Sequence, residues 1–179
     1  FSTGGVYVDS ESAADIPDTQ VASFEFDNLL MTWTNRHWGA APNPREQWGA
    51  IIHGERGSLR ISTGAYEFRP VNGDATRVEA QWDVADFPQD QALRGDWERE
   101  LAAMCRNNMR NFLAAVQTNG RPAADIEQGH VSTASCILAN MSMRLGRPLK
   151  WDAEAQRVIG DEEANALLAR PYRAPWIHP

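Results

Sequence analysis

From residue 19 the chain alternates. Ala22, Phe24 and Phe26 fall on one side of an extended segment, and Val21, Ser23 and Glu25 on the other. This period of two predicts a half-buried strand over residues 19–27. Asp27-Asn28 supplies a tight turn. A second strand over residues 29–37 follows, with Met31, Trp33, Asn35 and His37 on one face and Leu30, Thr32, Thr34 and Arg36 on the other. Together the two strands predict a hairpin. Residues 38–46 interrupt the pattern with prolines. Strand character returns over residues 47–53, turns through Gly54-Glu55-Arg56-Gly57, and resumes over 58–62. Asn72-Gly73-Asp74 marks a further turn between strands over 65–70 and 76–83. Ahead of residue 19 the chain is polar, and only Val6-Tyr7-Val8 has strand character.

After Pro88 the period lengthens to that of a helix. Trp97, Leu101, Met104, Cys105, Asn108, Phe112, Leu113 and Val116 line one side of a segment over residues 96–118, which Asn119-Gly120 closes. Asp125 and Gln128 have the spacing of a capping box. They open a second helix in which Ala134, Ile137, Leu138, Met141 and Leu145 form the apolar stripe. Gly146 ends this helix and Pro148 keeps it from resuming. Short strands over 149–152 and 156–159 follow, and Asp161 caps a last helix containing Leu167 and Leu168. Strands first and long helices second predict an α+β domain. Its expected form is an open, largely antiparallel or mixed sheet of about five to seven strands, with two long helices and a short C-terminal helix on one face.

Composition narrows the function classes. A chain of 179 residues is long enough for one core, burying about 70% of the surface its unfolded form exposes. The net charge of −7 and pI near 5.1 argue against nucleic acid and anionic membranes, both of which call for basic patches. No apolar run approaches the roughly 20 residues of a membrane span, and no signal peptide opens the sequence. Cys105 and Cys136 fall beside apolar neighbours in helical patterns, which suits structural thiols. Lys150 is the only lysine among the 17 basic residues, so a lysine-dependent mechanism has one candidate.

Few arrangements carry chemistry. No G-x-G-x-x-G occurs, and the nearest match, Gly54-x-x-Gly57, lies between strands with no following helix, so dinucleotide binding by this chain is not expected. His37, His53, His130 and His178 lack metal-ligand spacing, although sheet pairing would be one way to join His37 and His53. No G-x-S-x-G elbow surrounds Ser132 or Ser135. The richest constellation is Trp33, Asn35 and His37 on one strand face, with Arg36 at its end. An aromatic plate beside amide and imidazole groups suits a polyhydroxylated ligand. The competing reading packs Trp33 under a helix and leaves the others at a sheet edge. Arg45 and Trp48, near the intervening loop, and His130, early in the second long helix, are weaker candidates for the same role.

ADIEQGH, RLGRPLKWD, IGDEEAN and RPYRAPW, with GAIIHGERGSLRIS upstream, together resemble the C-terminal domain of the Gfo/Idh/MocA oxidoreductases over most of residues 19–176. In that family a dinucleotide-binding Rossmann domain precedes an α+β domain. The resemblance implies a segment over residues 1–18 continuing from a Rossmann domain, followed by a substrate-binding and oligomerisation domain over 19–179. It implies hydride transfer between a sugar or cyclitol and NAD or NADP, with the cofactor held outside this chain and the isolated chain inactive. Neither the family's Lys-Pro motif nor the Asp/His-bearing helix that opens its second domain is present, and Lys150 matches the LKWD element instead. The resemblance further implies a homo-oligomer joined through the open sheet face. The expected location is the cytoplasm, with an upstream export signal as the alternative. A stand-alone binding or oligomerisation module of the same fold is the competing functional reading.

Overall fold

The computed structural model describes residues 1–8, 10–11, 13, 16–40, 48–92, 96–169 and 172–177. They form two compact units, one of residues 1–39 and 126–179 and the other of residues 40–125.

In the first unit, β1 (Ser2–Gly5), β2 (Thr19–Phe26) and β3 (Leu29–Arg36) form an antiparallel sheet in that order. The alternation and the Asp27-Asn28 turn place the β2–β3 register, in which Gln20 faces Asn35, Ala22 faces Trp33 and Phe24 faces Met31. The strand expected at Val6-Tyr7-Val8 is instead β1, four residues earlier in the chain. Its sequence STGG has little strand propensity. Pairing with β2 makes it a strand, and Gly4 is needed there because a Cβ would lie 2.3 Å from the Thr19 carbonyl oxygen. Ser2, Gln20 and Ala22 are buried on one face of this sheet, the face that meets the second long helix.

That helix, α2 (Ile126–Leu145), begins and ends where the pattern predicts, and Gly146 follows it at φ +68°. Its buried side is shifted from the expected stripe. Met141, Ala139 and the polar Ser142 are buried, while Ile137 is 45% exposed. The shift follows from what the helix covers. Met141 forms a core with Val158 and Ala164, joined by Leu138, Leu145, Leu149, Trp151 and Leu167. The tail supplying this core contains the short hairpin β8 (Trp151–Asp152) and β9 (Arg157–Val158), then α3 (Glu162–Ala166).

The second unit holds β4 (Gly49–Gly54), β5 (Gly57–Ser62), β6 (Ala65–Pro70) and β7 (Thr76–Glu79) in sequential antiparallel order. Register sorts its faces sharply. Ala50, Ile52, Leu59, Ile61, Tyr66, Phe68, Thr76 and Val78 share one face, while Ile51, His53, Ser58, Arg60, Glu67, Arg69 and Arg77 share the other. The strand expected over 76–83 stops at Glu79, and short 3₁₀ turns follow at Val84–Asp86 and Pro88–Ala92. Helix α1 (Asp96–Thr118) matches the periodicity, but among its described side chains only Ala103 is buried. Leu101, Phe112, Leu113 and Val116 stay exposed, and the Trp97 side chain lies outside the described residues.

The α+β class therefore holds, with antiparallel pairing in every described sheet. The single sheet of the sequence reading is divided into sets of three, four and two strands. Within each set sequence neighbours are sheet neighbours, joined by short turns except between β1 and β2.

Candidate functional site

Trp33 and Asn35 lie on the same sheet face as Ala22 and Gln20, their cross-strand partners. This is the face that α2 meets over Ser2, so the candidate residues share the helix-bearing face. Trp33 is nevertheless 43% exposed and Asn35 half-buried. Trp33 thus shares the helix-bearing face without being fully covered.

A buried polar relay ties this face to α2. Gln20 Nε2 donates to Ser2 Oγ at 3.0 Å and to Asn140 Oδ1 at 3.1 Å. The Ser2 amide donates to Ser142 Oγ at 3.0 Å, and Ser142 Oγ donates to the Arg147 carbonyl at 2.7 Å. Ser142 is thus buried because it links sheet, helix and tail. Sequence reasoning passed over Gln20 and Asn140. One signal was available, since Gln20 extends the Ala22–Phe24–Phe26 face and a polar residue at a buried phase calls for a partner.

At the open end of the hairpin, buried Asp18 holds the chain in place. Its Oδ2 accepts the Tyr7 and Val8 amides at 2.9 and 2.8 Å, and its Oδ1 accepts Thr19 Oγ1 at 2.8 Å. Its carbonyl accepts the His37 amide at 3.0 Å. Trp38 Nε1 donates to Thr19 Oγ1 at 2.7 Å, and the Arg36 guanidinium stands 5.6 Å from the Trp38 ring centre. Arg36 and His37 therefore lie at one end of the hairpin but alternate in face. Trp48 is 68% exposed just ahead of β4 in the other unit. Arg45 and His178 lie outside the described residues. His130 Nε2 pairs with Gln156 Oε1 at 2.7 Å, tying α2 to the tail hairpin.

The recognisable motifs bond to one another. Arg147 donates Nε and Nη2 to the two Asp161 carboxylate oxygens at 2.9 Å each, and Nη2 also reaches Glu163 at 2.7 Å. Asp161 in turn caps α3 by accepting the Ala164 amide at 3.0 Å. Asn165 brackets Val158, accepting its amide at 2.8 Å and donating to its carbonyl at 2.9 Å. The Arg147 bond, then the Ala164 amide, hold the Asp161 carboxyl below its ordinary range against the opposing effect of desolvation. Bonds to Asp161 and then Glu163 raise the already high pKa of Arg147.

A second charged cluster belongs to the other unit. Arg106 lies 3.7 Å from the Phe87 ring centre and bonds Asp83 at 2.7 Å, while Arg110 bonds the other Asp83 oxygen at 2.6 Å. The Arg106 bond is the main reason the Asp83 carboxyl sits below its ordinary range. Asp90 Oδ2 forms an ion pair with Arg106 Nη1 at 2.8 Å. The cluster fastens the 3₁₀ turns to α1.

The expected structural thiols are not buried: Cys105 and Cys136 are both free and exposed. Tyr172 and Trp176 are likewise 52% and 67% exposed. His37 follows β3 of one sheet and His53 lies in β4 of another, so strand pairing does not join them. Among the described residues no group of three or more His, Cys, Asp or Glu is placed for a metal ion, and no helix is long and apolar enough to cross a membrane. Gly54 and Gly57 turn directly from β4 into antiparallel β5, with no helix N-terminus to receive a pyrophosphate. These residues do not fit a dinucleotide.

A family model described as the oxidoreductase family, C-terminal alpha/beta domain, matches residues 86–178, just over half of the chain. The match takes in both long helices and the bonded tail motifs, and it begins after β7. No curated protein and no solved structure matches the chain.

Proposed function

The chain belongs to the Gfo/Idh/MocA oxidoreductase family, as part of its C-terminal domain, and we propose that it is the substrate-binding and assembly portion of an enzyme acting on a sugar or cyclitol. The family match over residues 86–178 carries this reading. NAD or NADP belongs to the proposal through the family, which usually binds it in the N-terminal domain. With the cofactor held in that domain, the part proposed for this chain is to bind and orient substrate. Trp33, Asn35, Arg36 and His37 are the leading candidates, with Arg45, Trp48 and His130 as outer ones. Cytoplasmic residence belongs to the same reading.

Assembly is supported by the second unit. Ile52, Ile61, Tyr66 and Val78, between 38% and 50% exposed, crowd one face of its four-stranded sheet, and apolar faces of this kind invite association. Self-association through sheet faces is proposed on that ground. Sedimentation showing a strict monomer at high concentration would count against it.

The deciding experiment for the redox reading is to sequence the gene on the N-terminal side of Phe1 and assay the whole product with NAD and NADP against a sugar and cyclitol panel. The expected result is a strand leading into G-x-G-x-x-G and substrate-dependent cofactor reduction, with residues 1–179 inert alone. A start codon within a few residues of Phe1, and a binding-competent but redox-silent product, would replace it with a stand-alone binding module.

A further inference from the structure

We propose that Gln20 and Asn140 join Asn35 and Trp33 in a subsite for a neutral polyol, set between the β2–β3 face and α2. The proposal rests on the substrate-domain reading and adds to it two residues, 120 positions apart in the chain, that meet only in the fold.

The orientation of the Gln20 amide is fixed by its neighbours. Ser2 Oγ gives its own proton to the Val21 carbonyl at 3.1 Å, so toward Gln20 it can only accept. The Gln20 group on that side is therefore Nε2, whose second proton goes to Asn140. Oε1 is left over. Gln20 is only 4% exposed, yet Oε1 makes no hydrogen bond and is not among the side-chain atoms sealed from solvent without a partner. A largely buried side chain thus presents one fixed acceptor to the outside.

Two further amides neighbour Gln20. Asn35 stands directly across the strand pair, with Cβ atoms about 5 Å apart in such pairs. Its carboxamide makes no hydrogen bond within the described protein. Asn140 receives Gln20 on Oδ1, which leaves its Nδ2 donors free to face a ligand. The set offers a fixed acceptor, a fixed donor pair and an amide that can do either. Neighbouring hydroxyls on one ligand, each both donor and acceptor, match it. Trp33, two residues along β3 and on the same face, is placed to cover the ligand's C–H surface.

Charge favours a neutral ligand. The recognising groups are uncharged, and the nearest carboxylate along β2, Asp18, already accepts from Tyr7, Val8 and Thr19. Arg144 is exposed one turn beyond Asn140, so an anionic ligand is the alternative to exclude. Because Gln20 and Asn140 are already ordered by the relay, less rotamer freedom is lost on binding.

The test follows the side-chain amide and indole NMR signals of the full 179-residue chain during titration with myo-inositol, D-glucose and, separately, inorganic phosphate. Saturable shifts at Gln20, Asn35, Asn140 and Trp33 with a polyol are expected. Asn35→Ala and Asn140→Ala should each weaken that binding by about 3- to 10-fold, the equivalent of one neutral hydrogen bond. Asn35→Ala is decisive, because it removes no hydrogen bond that the fold uses, whereas Gln20→Ala dismantles the relay. Polyol shifts confined to Trp48 would overturn the subsite while leaving the substrate-domain reading intact. Response to phosphate alone would overturn the neutral assignment, and no response to either polyol would overturn the subsite outright.

Discussion

The C-terminal clamp and the β3 face treat their polar side chains in opposite ways. In the clamp, Arg147, Asp161 and Asn165 are bonded to one another or to backbone, around a core of Met141, Val158 and Ala164. On β3, Trp33 and Asn35 make no polar bond to the described protein and remain partly open. The clamp is also the part that identifies the family, whereas β3 lies outside the matched residues. What makes this chain recognisable is a scaffold. The candidate residues on β3 lie outside the matched residues, and family membership does not by itself carry a substrate with it.

The largest expected effect therefore belongs to the clamp. Met141→Ala should cost about 2–5 kcal/mol, because it removes the largest member of a small core and leaves a cavity. Chemical denaturation of wild type and variant measures it. A loss below about 1 kcal/mol would mean that the core collapses freely around the gap, and the contrast with β3 would lose its energetic basis.

Much of the scaffold was legible locally. The Asp27-Asn28 turn and the alternation on either side of it gave the β2–β3 register, and apolar periodicity with Gly146 gave both long helices. Strand β1 was not legible, because STGG becomes a strand only by pairing with residues 19–22. The burial of Ser142 and the relay from Gln20 to Asn140 were hidden for the same reason: each depends on partners far away in sequence. Exposure of Cys105 could not be read from its apolar neighbours, since the stripe they form on α1 is itself largely uncovered.

Acid should act on the clamp before it acts on β3. The Asp161 carboxyl titrates below its ordinary value of 3.8, chiefly because Arg147 bonds the charged form. A folded-state pKa below the unfolded one gives stability that is fully present above the ordinary value. That contribution is lost as pH falls through the folded value. Stability profiles should accordingly steepen on the acid side below about pH 5, and Asp161→Asn should flatten that part of the curve. Because the pair is partly open to solvent the change will be modest. Superimposable acid limbs for the two proteins would show that Arg147 and Asp161 do not couple to folding.

The smallest stability effect is expected at Asn35, and its smallness is informative. Asn35→Ala deletes a half-buried carboxamide that bonds nothing in the described fold, and alanine leaves the strand backbone pairing with Gln20 intact. The denaturation midpoint should move by no more than the equivalent of about 0.5 kcal/mol. A drop of 2 kcal/mol or about that size would give Asn35 a structural partner and place it with the clamp. An increase would say something different: that a polar group is kept on β3 at some expense to folding, as expected where a side chain is reserved for a ligand. Measured beside Met141→Ala, the variant separates residues that hold the chain together from residues the chain leaves available.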